Sequence, residues 1–107
     1  MNKQQREEKV RKIFDLSMQI NGCVDYNYEK RPLIFLRVYP HCGLIDFDVH
    51  YYGWGTGERE NQYIQAEAHY SEERDDGKLD GMIAMLESVI DGTFDACNPN
   101  FCCVVST

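Results

Sequence analysis

Between Leu44 and Tyr52 the chain reads LIDFDVHYY, and this strict alternation constrains the fold more than any other feature. Ile45, Phe47, Val49 and Tyr51 fall on one side of an extended chain, and Asp46, Asp48, His50 and Tyr52 on the other. Successive strand residues point to opposite faces, so the segment is a half-buried antiparallel strand that needs a cover for its apolar face. LIFLRVY, Leu33 to Tyr39, supplies a neighbour, and the intervening PHCG is a turn punctuated by Pro40 and Gly43. QYIQAEAHY, Gln62 to Tyr70, repeats the alternation with Ile64, Ala66, Ala68 and Tyr70 on one face and Tyr63, Gln65, Glu67 and His69 on the other.

Two helices supply the cover. From Lys3 to Ile20, Val10, Ile13, Phe14, Leu16 and Ile20 recur at helical steps, and Asn21-Gly22 is a stop signal. After the acidic SEERDDGK linker, Asp75 or Asp76 is an N-cap for a second helix, whose apolar set is Leu79, Met82, Ile83, Leu86, Val89 and Ile90. Gly92 ends it, and the small Ala66 and Ala68 let it sit close to the sheet. The apolar run Phe101 to Val105 is a short edge strand or a plug against the core. The expected fold is a single α+β domain over residues 1–107, a two-layer α-β-β-β-α sandwich with both helices on one face of a three-stranded meander.

Matching the apolar faces fixes the parity of strand pairing. A tight PHCG turn then sets Arg37 opposite Asp46, and a hairpin around the glycine loop sets Asp46 beside His69 and Asp48 beside Glu67. The open face is expected to carry Tyr39, Asp46, Asp48, His50, Tyr52, Tyr63, Glu67 and His69.

Charge narrows the partners. The formal net charge is -7, and from Leu44 to Asp95 three basic side chains face thirteen acidic ones. Such a surface repels phosphate, so the natural partner is a protein with a basic groove rather than nucleic acid. The charged start, MNKQQREEKVRK, is unlike a secretory signal, and no apolar run reaches the roughly 18 residues of a membrane span. A cytoplasmic monomer or small homo-oligomer is expected. The five cysteines are odd in number and read as buried reduced thiols rather than a disulfide framework.

No motif points to catalysis or a cofactor. GWGTG places glycines at Gly53, Gly55 and Gly57, lacks the P-loop Lys-Ser/Thr pair, and joins two strands with Glu58 and Glu60 close behind. It is a hairpin loop carrying Trp54, either exposed as an interface anchor or folded back over the sheet edge. His41, Cys42, Cys97, Cys102 and Cys103 lack the paired short spacing of a zinc site. Asp46, His50 and His69 could gather a divalent ion, with Arg37 competing for Asp46. Asp48 and Glu67, as neighbours, would raise one another's proton affinity, but an open sheet face does not exclude water.

The helix, three strands and helix also match the order of double-stranded RNA-binding domains, but EERDDGKLD replaces their basic second-helix start. The small size, the acidic LIDFDVHYY and SEERDDGKLD segments and the order of elements from Lys3 to Gly92 resemble small phage-encoded anti-CRISPR proteins. The likeness is one of layout and charge, without a shared motif. It implies a non-enzymatic inhibitor, a DNA mimic that occupies the nucleic-acid or effector surface of a CRISPR nuclease or other defence protein. Asp46 and Asp48, about 6.6 to 6.8 Å apart along a strand, lie within a factor of about two of phosphate spacing on one DNA strand. The expected partner-binding set is Asp46, Asp48, Tyr52, Trp54, Glu58, Glu67, Glu72, Glu73, Asp75 and Asp76. The alternatives are a toxin-neutralising immunity protein, a small-molecule sponge or, last, a small metal-dependent enzyme.

Overall fold

The computed structural model describes residues 2–22, 32–53, 63–94 and the backbone of 103–106. Helix α1 spans Lys3–Asn21, strands β1, β2 and β3 span Leu33–Tyr39, Leu44–His50 and Tyr63–His69, helix α2 spans Asp76–Asp91, and strand β4 spans Cys103–Ser106. The strands form one antiparallel sheet in the order β1-β2-β3-β4. The expected α+β layout is what forms, and the tail adds a fourth strand at the edge beside β3.

Helix α1 begins with a capping box. The Asn2 side chain accepts from the Gln5 backbone N–H, and the Gln5 side chain accepts from the Asn2 N–H, each at 2.8 Å. Two orphan donors of the first turn are thereby satisfied. The helix stops at Gly22, whose φ of 82° suits a residue without a Cβ.

Both helices pack on the apolar sheet face, over a core in which Phe47, Ile45, Val49, Ile13, Leu79, Met85 and Leu86 are essentially inaccessible to solvent. Burying each such side chain contributes about 1.5–3 kcal/mol before conformational entropy is subtracted. Two details of the helical faces depart from the apolar pattern. Ser17 is buried and Phe14 is 53% exposed, because the inward line of α1 runs through Ile13 and then one turn on, to position 17. The Ser17 hydroxyl donates to the Ile13 carbonyl at 2.8 Å, so its burial leaves no orphan donor. In α2, Met85 joins the core while Ile90 is 40% exposed.

The two helices run in the same direction, since three strand crossings separate them. Their flanks are joined by ion pairs in step: Arg6–Asp76 at 2.8 Å, Lys9–Asp80 at 2.6 Å and Lys12–Glu87 at 4.0 Å. The basic amino-terminal helix is therefore matched to acidic positions of α2 within the fold.

Candidate functional site

The sheet face opposite the helices carries the acidic and aromatic residues. β1 and β2 pair with Arg37 opposite Asp46, as face matching predicts. Between β2 and β3, however, Asp46 lies opposite Glu67, Asp48 opposite Gln65 and Leu44 opposite His69. The expected neighbours Asp46–His69 and Asp48–Glu67 are corrected by a slide of two residues. Such a slide keeps every side chain on its own face, so the apolar pattern is blind to it.

The register creates a compact charged group. Arg37 Nε donates to Asp46 at 2.6 Å, and its two terminal nitrogens donate to the Asp48 oxygens at 3.0 and 2.8 Å. The two carboxylates raise the Arg37 pKa further above its ordinary value, with the Asp48 hydrogen bonds as the largest cause. Glu67, exposed and directly across from Asp46, adds a third carboxylate to the single guanidinium. Like charges directly opposite on a sheet face oppose folding, and Arg37 offsets part of that repulsion.

Beside this group lies an aromatic row. His50 stacks on Tyr63 with centroids 5.2 Å apart and meets the edge of Phe35 at 5.0 Å. The face is not uniformly open: Asp46 and His50 are buried beneath their neighbours, whereas Glu67 is exposed. Tyr52, in the turn after β2, is 42% exposed and packs edge-on against Tyr51. Trp54 and Glu58 lie outside the described residues.

The SEERDD segment sits at the far end of β3 and serves partly as architecture. Asp75 occupies the N-cap position of α2 but makes no side-chain cap bond. It is buried and accepts instead from the His69 backbone N–H at 2.7 Å, with the His69 ring at 3.3 Å and Lys78 Nζ at 3.7 Å. That backbone hydrogen bond is the chief cause holding the Asp75 carboxyl below its ordinary pKa, with Lys78 adding to it. Asp76 is likewise held low by its bond to Arg6. Glu72 pairs with Arg74, and Glu73 is exposed. Of the acidic positions expected to face a partner, Glu67 and Glu73 project into solvent without a described ion pair; Asp46, Asp48, Glu72, Asp75 and Asp76 hold a cation within the chain.

Metal ligation by Asp46, His50 and His69 loses its geometry with the register: His69 lies opposite Leu44, and Asp46 is held by Arg37. Among the described residues, His69, Glu72 and Asp75 are the set whose ligand atoms lie within 4.8 Å of one another. Arg74 and Lys78 already engage the two carboxylates of that set. Sequence pattern missed the Asp75–His69 tie because it joins a side chain to a backbone group six residues away, across a turn with no periodicity.

Among the described residues, no helix is long and apolar enough to cross a membrane. Comparisons with protein-family models, curated proteins and solved structures found no match to this chain.

Proposed function

We propose that the protein is a non-enzymatic acidic binding protein that inhibits a partner protein by occupying a basic nucleic-acid-binding or effector surface, in the manner of an anti-CRISPR protein. One observation carries this reading: Asp46, Asp48 and Glu67 share a sheet face on which Arg37 is the one cation among the described residues. Arg37 compensates one of the three charges, so a surplus stays on the sheet, with Glu67 as its exposed head. Aromatic rings border it at Tyr63 and Tyr52, the residue types that dominate binding hot spots. An incoming arginine or lysine would meet Glu67, held in place by strand geometry above the buried Asp46, which limits the ordering cost of association.

Binding to a purified CRISPR nuclease, measured by calorimetry at low and high salt and with nucleic acid as competitor, tests the proposal. The expected result is salt-sensitive binding that nucleic acid displaces and that Glu67→Lys weakens. Binding indifferent to salt, to competitor and to Glu67→Lys would remove the reading.

A further inference from the structure

Among the described residues the outer edge of β1 is open beyond Ile34, and charge and apolar exposure both mark it. β1 ends the sheet, and Ile34 shows which way its backbone points. The Ile34 N–H donates to the Asn21 side-chain oxygen at 2.7 Å, and the Asn21 amide donates to the Ile34 carbonyl at 2.9 Å. Asn21 thus stands in for a neighbouring strand at that one residue. Alternate residues of a strand direct their backbone groups to the same side, so Leu36 and Val38 present theirs outward, and among the described residues no hydrogen bond reaches these two on that side.

Apolar exposure converges on the same edge. Of the six exposed large hydrophobic residues among those described, Phe14, Met18, Phe35 and Val38 lie along β1 and the flank of α1 above it. Phe14, Met18, Ile34, Phe35 and Leu36 line a groove of about 450 Å³ there, in which Arg37 is the one charged residue among those described. Natural sheets commonly protect long edges with charges, proline or bulges; β1, LIFLRVY, has a single charge, and that charge is turned to Asp46 and Asp48.

We infer that this edge is a dimer interface, in which β1 pairs antiparallel with β1 of a second copy about a two-fold axis at Arg37. Charge permits a second copy of this chain here: at a net charge of -7, copies repel across their acidic faces and approach at less electrostatic cost along β1, which carries no carboxylate and whose Arg37, set opposite its counterpart, is already paired with Asp46 and Asp48. Register favours it as well. Pairing centred on Arg37 sets Leu36 opposite the second copy's Val38 and Val38 opposite its Leu36, forming four backbone hydrogen bonds from the groups that point outward. It sets Ile34 opposite Pro40, which has no N–H to give, and Ile34 is already satisfied by Asn21. Centring on Leu36 would compete with Asn21, and centring on Val38 would ask Pro40 for a donor. Under the two-fold, the α1 flanks with Phe14 and Met18 face each other, and both acidic faces lie on the same side of one continuous sheet.

Sedimentation velocity across a micromolar concentration series tests this, with circular dichroism as the check on folding. The wild-type chain is expected at twice its monomer mass. Val38→Pro removes an outward N–H without touching the ladder to β2, and Phe14→Glu charges the groove from the helix side; each is expected to weaken dimerisation about tenfold or more, a change of about 1.4 kcal/mol or more. Should Val38→Pro disturb folding, Val38→Lys at the same exposed position serves instead. A wild-type monomer at every concentration, as for an edge that receives some other peptide, overturns the inference. So does a dimer that survives both folded variants.

Discussion

Arg37 on β1 lies directly opposite Asp46 on β2, and its Nε donates to that carboxylate at 2.6 Å while the rest of the guanidinium engages Asp48. Asp46 keeps 7% of its side-chain surface and Arg37 36%, so the carboxylate depends on the cation more than the reverse. Arg37→Ala should cost about 1–3 kcal/mol in urea unfolding, less than the roughly 3–5 kcal/mol of a fully buried pair because water can enter where the guanidinium stood. Adding Asp46→Asn should recover part of the loss, and a double-mutant cycle would measure how much.

Glu67 predicts an opposition between stability and binding. Glu67→Lys removes the like charge across from Asp46 and should leave stability equal or raise it by about 0.2–1 kcal/mol. The same variant should lose affinity for a basic partner. A loss of both stability and affinity would show that the residue supports the fold and not the surface.

Asp75 predicts a specific acid dependence. Its pKa is lowered in the folded protein from an ordinary 3.8, so folding favours the charged form. The stability it contributes is fully present above that ordinary value and disappears as pH falls through the lowered native one. Asp75→Asn keeps an acceptor for the His69 N–H but loses the charge. The stability gap between wild type and variant should close on acidification below about pH 4, as read from denaturant melts at stepped pH.

Gly43 fixes the turn between β1 and β2 against the end of β3. Its φ is +65°, and an added Cβ would collide with Ser71 Oγ and lie 2.8 Å from Ser71 Cβ. The Tyr70 N–H donates to the Gly43 carbonyl at 2.8 Å, so the two segments cannot simply part. Gly43→Ala should therefore cost about 1–3 kcal/mol. Cys42, expected as a buried thiol, is exposed in the turn beside Gly43, and Cys42→Ala should cost less than about 0.5 kcal/mol when both variants are compared with wild type in urea unfolding.

The alternation of Leu44 to Tyr52 determined a half-buried strand, and with Ile64, Ala66 and Ala68 it determined which sheet face the helices cover, because side-chain direction in a strand depends only on position parity. The helical steps from Val10 to Ile20 and from Leu79 to Ile90 determined two amphipathic helices for a similar local reason. Parity is silent about a slide of two, so only the tertiary structure decided that Glu67, and not His69, faces Asp46. Only it decided that Ser17 goes in while Phe14 stays out, since the helical stripe is broad and its inward line depends on how α1 is rotated over the sheet. The same holds for the carboxylates: sequence counts them, but whether a cation from another element lies beside Asp46, Asp75 or Asp76 depends on how distant segments pack together.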